Sequence, residues 1–360
     1  VQRKTSTYHS SDGHELTPRE REILKLIVHS FIETAGPVGS GYLARSSGLG
    51  LSAASIRNSM SDLESQGYLD HPYTSAGRVP TERGYRAFVD ELMETPALSP
   101  MDKKLLRVEL ERLMGDPDGL LRESSRILGR LSNLLGVVLS PRLSNGVLER
   151  LEVVPLSSSR VMFVLSVRGS LVQTIVLEID TELRRSEIDR VVNILNERLA
   201  GLTLEEIRRT YATRVRDIED EQSGIVRLVL REGSYIFADP AERRQLQLAG
   251  AQNMLKQPEF QEPEELQKMI GMLEDNEFVV HLLEGAEPLR EDEPGRARVA
   301  IGRENENRKA QGYSVVSARY QMGDTVGTIG IIGPTRMDYS RVLALVEGMA
   351  SLLSGNEQDD

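Results

Sequence analysis

The stretch SAASIRNSMSDLESQGYLDHPYTSAGRVPTERGYRAFVDELM, residues 52–93, decides the reading of this chain. Ser52 is placed to cap a helix that Gly67 ends at its C′ position. Ile56, Met60 and Leu63 stand at i, i+4 and i+7 and face inward. The opposite face carries Ser55, Arg57, Asn58, Ser59 and Ser61, with no acid before Asp62. Such a face suits the major groove of a duplex. Arg bonds guanine through two donors, Asn bonds adenine in the same way, and Ser reaches a base edge or a phosphate. The helix N-terminus adds N–H donors for a phosphate. The same pattern also fits a capped, solvated helix of any small bundle, so the neighbouring segments have to choose between the two.

They favour the groove. Tyr68–Pro72 reads as a short strand, Thr74–Gly77 as a turn, and Arg78-Val79-Pro80 as a returning strand. Thr81 then opens a helix with Tyr85, Phe88, Val89 and Leu92 on one side. Upstream, Thr17-Pro18-Arg19-Glu20 is a capping box with Pro at the first helical position. Ile23, Leu24, Ile27, Val28, Phe31 and Ile32 supply that helix's apolar stripe, and Gly36-Pro37 stops it. A short second helix fits 39–47. Three helices followed by a β-hairpin make a winged helix-turn-helix. Arg78 lies beside the wing tip, in reach of a minor groove or a phosphate. Arg83 and Arg86 flank the same region, and Arg86 is equally spaced to pair with Asp90 at i+4.

Charge has to be read by region. The 360 residues carry a net charge of −11, which argues against broad, charge-led binding to nucleic acid or anionic lipid. Residues 1–95 hold 10 Lys+Arg against 12 Asp+Glu, so −9 of the total lies in the remainder. Residues 37–90 hold five Arg against five acids and are locally neutral.

The length suggests two or three domains. With 39% hydrophobic and 28% charged residues the chain is globular. Apolar runs are too short to span a membrane. The first sixteen residues lack the apolar segment of a secretory signal, so a cytoplasmic location is expected. Zero Cys excludes disulfides, thiolate nucleophiles and cysteine metal sites. Aromatics at 4% and no Trp leave base-stacking platforms poorly supplied.

Beyond a linker at 94–100, Leu105, Leu106, Leu110 and Leu113, then Leu120, Leu121, Ile127, Leu128, Leu131 and Leu134, form helical stripes suited to core or dimer packing. Strand patterns follow at 136–139, 148–155, 160–167 and 171–179, with a hairpin turn at 167–170. A helix at 188–199 comes next, and Thr203–Glu206 is another capping box. Gln257–Glu265 reads as a Pro- and Glu-rich loop. Strand patterns resume at 296–301, 314–320 and 326–332, before a last helix at 339–353. The expectation is one mixed sheet flanked by helices, interrupted at about 201–275.

Enzyme signatures fail. Gly323, Gly327, Gly330 and Gly333 match neither a P-loop nor a dinucleotide fingerprint and read as strand glycines allowing close packing. The five His include no metal-spaced pair, and His29 reads as a surface or boundary residue. No serine-hydrolase elbow occurs. No catalytic residue, metal or cofactor is therefore expected. Arg336 and Tyr339 read as structural anchors or as contacts to the wing domain.

The runs 36–69, 74–93, 301–307 (IGRENEN) and 327–342 (GTIGIIGPTRMDYSRV) resemble the heat-inducible transcription repressor family HrcA over nearly the whole chain. The resemblance implies a multidomain α+β protein: a winged helix-turn-helix at 12–95, a GAF-like domain at 101–200 and 276–355, and an inserted dimerisation domain at 201–275. It implies a homodimeric repressor of heat-shock chaperone genes. The repressor would bind an inverted-repeat operator in double-stranded DNA, be supported by the GroE chaperonin and be relieved by heat. Carried onto this sequence, the DNA contacts are Ser52, Ser55, Arg57 and Asn58 on the helix, and Ser75 and Arg78 on the wing. Tyr73 departs from the family pattern, which has His there. GAF-type domains often bind small molecules, so the alternative is a regulator with its effector site in that domain. A purely structural domain fits the sequence as well.

Overall fold

The computed structural model describes residues 15–72, 77–94, 97–113, 116–169, 171–179, 184–216, 218, 224–238, 246–285 and 295–355. The head begins with α1 (Pro18–Thr34). The Thr17 hydroxyl accepts from the Glu20 N–H, and the Glu20 carboxylate accepts from the Thr17 N–H at 2.8 Å. Ala35 ends it in a left-handed conformation, φ 52°. α2 (Ser40–Ser46) follows, then α3 (Ala53–Ser65), whose cap is the Ser52 hydroxyl accepting from the Ser55 N–H at 3.2 Å. β1 (Leu69–Asp70) and β2 (Val79–Pro80) pair antiparallel. Val38 and Arg78 exchange two backbone hydrogen bonds of 2.9 Å and tie this hairpin to the start of α2. α4 (Glu82–Ala87) runs into a π-helical turn at Phe88–Leu92.

The body starts with α5 (Pro100–Glu111), α6 (Pro117–Ser132) and β3 (Leu135–Leu139). The chain then builds β4 (Leu148–Ser157), β5 (Arg160–Val167) and β6 (Leu171–Glu178), with α7 (Arg185–Leu199), α8 (Leu204–Val215) and α9 (Gly224–Ile236). It returns through β7 (Leu246–Ala249), α10 (Ala251–Met254), α11 (Pro263–Glu274) and α12 (Asn276–Glu284). β8 (Ala297–Ile301), β9 (Tyr313–Met322), β10 (Thr325–Pro334) and α13 (Tyr339–Leu353) complete it.

The protein is multidomain and α+β, but its strands do not form the expected single mixed sheet. Among the described residues, five make one sheet in the order β7-β3-β10-β9-β8, three make another in the order β4-β5-β6, and every pairing is antiparallel. The apolar cores divide the same way. β4–β6 and α7–α9 bury Phe163, Leu165, Val191, Leu195, Ile207 and Val229 among themselves. The five-stranded sheet shares its core with the head and with α5, α6 and α10–α13. The interruption therefore starts near Leu148 and ends near Phe237, where 201–275 was expected. Alternation along 148–179 reports that one strand face is covered and does not say by what. Gln257–Glu265 is also less irregular than its composition suggests, because α11 begins at Pro263.

The glycines of β10 serve packing. A Cβ at Gly327 would run into the Tyr320 ring, and one at Gly333 would lie 2.9 Å from Leu134.

Candidate nucleic-acid interface

The inward face of α3 is as expected, with Ile56 and Leu63 at 0% exposure and Met60 at 3%. Ser59 joins it at 6%, so it is removed from the outer row. The residues left facing solvent are Ser52, Ala54, Arg57, Asn58, Ser61, Asp62 and Ser65. Arg57 makes no ion pair among the described residues.

Two expected contacts are engaged within the head. Ser55 is half-buried, and the Arg19 guanidinium donates to its carbonyl (2.7 Å) and its hydroxyl. Arg78 is half-buried, its Nε 2.7 Å from Glu64 Oε2. The other oxygen of Glu64 holds His71. Arg78 thus joins the hairpin to α3 in the chain without DNA, beside the wing tip from which the sequence lets it reach a minor groove or a phosphate. Ser75 and Tyr73 lie outside the described residues. Arg83 is exposed and stands 4.6 Å from the centroid of the Tyr68 ring.

These contacts shape the local field. Glu64 faces His71 and Arg78, while Glu20 is occupied by the Thr17 cap and by Gln66 Nε2 at 3.0 Å. Glu64 and Glu20 are thus engaged at short range, which leaves Asp62 as the carboxylate on the outer row of α3. Arg57 and Arg19 stay exposed beside the helix N-terminus, whose N–H groups favour an anion. Sequence reasoning missed Arg19, which lies 36 residues before its partner Ser55. No local periodicity signals such a pair.

The head is seated on the body by residues of the resemblance-bearing runs. Arg86 Nε donates to Glu304 (2.8 Å), its NH2 to the Val299 carbonyl (2.9 Å) and its NH1 to Asp90 (3.1 Å). Burial works to lower the Arg86 pKa, but the hydrogen bond and charge of Glu304, joined by Asp90, outweigh it and hold the group above its ordinary value. Arg336, with its side chain only 10% exposed, donates to the Ile32 carbonyl (2.7 Å), to both Glu259 oxygens (2.6 and 3.1 Å) and to Gln257 (3.1 Å). The Tyr85 and Tyr339 rings meet between these clusters at 5.8 Å. Both expectations for Arg336 and Tyr339 hold together: they anchor the body and touch the head. A cleft of about 140 Å³ adjoins Arg336, lined also by Ile32, Leu134, Gln257 and Arg341. His29 is exposed, its ring edge-on to Phe88 at 5.1 Å.

Among the described residues, no group of three or more His, Asp or Glu is placed to hold a metal ion. Among the described residues, no helix is long and apolar enough to cross a membrane.

Comparison with known proteins agrees with this architecture. The family model described as "HrcA protein C terminal domain" matches residues 118–343. The "Heat-inducible transcription repressor HrcA" of Chlorobium phaeobacteroides (strain BS1) is 41% identical over 356 residues, covering 95% of this chain and 98% of that one. The protein of the same name from Chlorobium limicola is 42% identical over 350 residues, with coverage of 95% and 98%. A solved structure, described as a hypothetical protein at 2.2 Å resolution, aligns with a TM-score of 0.60 at 24% identity, covering 95% of this chain and 98% of that chain, and shows a shared fold.

Proposed function

The chain belongs to the HrcA family of heat-inducible transcription repressors, and we propose that it represses heat-shock chaperone genes by binding an inverted-repeat operator as a homodimer. The family's members are DNA-binding repressors and not enzymes. The observation that carries the finer reading is the outer row of α3. Arg57 and Asn58 are exposed on a helix where Glu64 is paired with Arg78 and Glu20 is held by Thr17 and Gln66. In this reading the head is a winged helix-turn-helix with α3 in the major groove. Ser52, Arg57 and Asn58 face bases or phosphates, Ser55 acts with Arg19, Arg78 sets the wing, and Ser75 contacts DNA from the wing tip.

The five-stranded unit is read as the GAF-like domain and β4–β6 with α7–α9 as the dimerisation module. Support for dimerisation comes from the outer face of the small sheet. Val154 (38% exposed), Val172 (59%) and Val176 (50%) stand exposed there, and Val154, Met162 and Val176 lie side by side across the three strands. A second copy of the chain would cover that face.

The test is retention of random duplexes by the full chain, with sequencing of those retained. An inverted repeat should emerge. Retention with no common sequence would refute specific repression. Chaperonin support is tested separately, by operator affinity after mild heating with and without GroE. Equal affinities would remove that part.

A further inference from the structure

We infer that the contact between α4 and the loop Gly302–Glu304 sets the half-site spacing that the repressor accepts. This rests on the proposed DNA-binding dimer and adds a specificity element to it, with Arg86 and Glu304 as positioning residues.

On one side α4 is fixed to the end of α3. The Thr81 hydroxyl donates to the Gly67 carbonyl at 2.7 Å, and Gly84 lies so close to the Tyr68 carbonyl that any Cβ would collide with it. The orientation of α4 is therefore the orientation of α3.

On its other side α4 is held by directional bonds. Arg86 spans Glu304, the Val299 carbonyl and Asp90, while Glu304 itself accepts from the Ile301 N–H at 2.9 Å. One turn earlier, Glu82 accepts from the Arg303 N–H at 3.2 Å and lies over Gly302. Gly302 has φ 52° there, and a Cβ would run into the Glu82 carboxylate. The ring contact of Tyr85 with Tyr339 contributes burial, but the Tyr85 hydroxyl has no hydrogen-bond partner among the described residues. Ring packing tolerates sliding, whereas a guanidinium fork resists it.

The required stiffness follows from DNA geometry. Each added base pair moves a half-site about 3.4 Å along the axis and rotates it by about a tenth of a turn. Hydrogen bonds of 2.8–3.2 Å lose most of their strength well within that displacement. The α4 contact thus holds α3 to the body, and so to the second protomer, more tightly than one step of spacer.

The experiment uses the full chain and the selected operator with half-sites constant and the spacer changed by one or two base pairs either way. Wild type should favour one spacer. Arg86→Ala and Glu304→Gln should shrink the ratio between that spacer and its neighbours about tenfold, the loss of one charge-assisted fork. Affinity for a single half-site should stay within about twofold. Arg86→Lys, which keeps the charge without the fork, should fall between. Glu304→Gln preserves shape and the bond to Ile301, so it reports even if Arg86→Ala does not fold. Variants that keep the wild-type spacer profile, with affinity uniformly lowered or unchanged, overturn the inference. So does a wild type that tolerates every spacer, which leaves the DNA-binding reading standing. A wild type that retains no duplex sinks both.

Discussion

Arg336→Ala should loosen the head from the body without touching α3. The guanidinium is 10% exposed and spends four hydrogen bonds on Ile32, Gln257 and Glu259, contacts that span up to 304 residues of chain. Removing one member of a fully buried pair costs about 3–5 kcal/mol. Here Glu259 keeps 31% exposure, so water recovers part of its solvation. The Ile32 carbonyl, in the last turn of α1, loses a charge-assisted donor. A net loss of about 2–3 kcal/mol results. For a cooperative unit of this size that is a Tm lower by roughly 5–10 °C. Differential scanning calorimetry should show the shift in the transition of the five-stranded unit and head. The transition of β4–β6 with α7–α9, which has its own core, should stay in place. Arg336→Lys should recover part of the loss, and salt should matter little at so covered a site. A Tm unchanged within about 1 °C would refute the idea that this cluster couples the two parts.

Arg57→Ala should weaken operator binding by about 1–3 kcal/mol while leaving Tm unchanged, because its side chain is exposed and makes no ion pair among the described residues. Fluorescence anisotropy against operator and scrambled duplexes checks it, and equal weakening on both would reduce Arg57 to a phosphate contact. Val172→Glu with Val176→Glu should give monomers by sedimentation, with single half-site affinity retained; a persistent dimer would place the interface elsewhere. Burial, aided by the charge of Glu265, pushes the Tyr313 phenol up to about 12. Burial and then the Coulomb effect of Tyr339 raise Tyr85 as well. The unfolded chain therefore loses these protons first, near pH 10, so stability should be full below that pH and decline as pH rises towards 12. Denaturant melts across pH 8–12 check the sign; stability that rises over this window would contradict it.

The capping boxes at Thr17 and Thr203, the apolar stripe Ile56-Met60-Leu63 and the last helix at 339–353 were readable from the chain alone. Each depends on groups within a few residues of one another. The outer face of α3 was readable for the same reason, except Ser59, which is buried, and Ser55, which is half-buried under Arg19. A short polar residue on the edge of an apolar stripe is buried or exposed according to what packs over it.

Other decisions belong to the tertiary structure. Alternation in 148–179 gives every strand one covered face, and hydrophobic burial, being non-directional, fits one sheet or two equally well. The length of Arg78 and its place near a turn suggested a DNA contact, and only the fold brings Glu64 to it. Arg86 with Glu304 and Arg336 with Ile32 join segments more than 200 residues apart. A one-dimensional pattern records how a residue relates to its own helix or strand. Which distant charge it meets depends on how the elements stack, and that was settled only when the chain closed on itself.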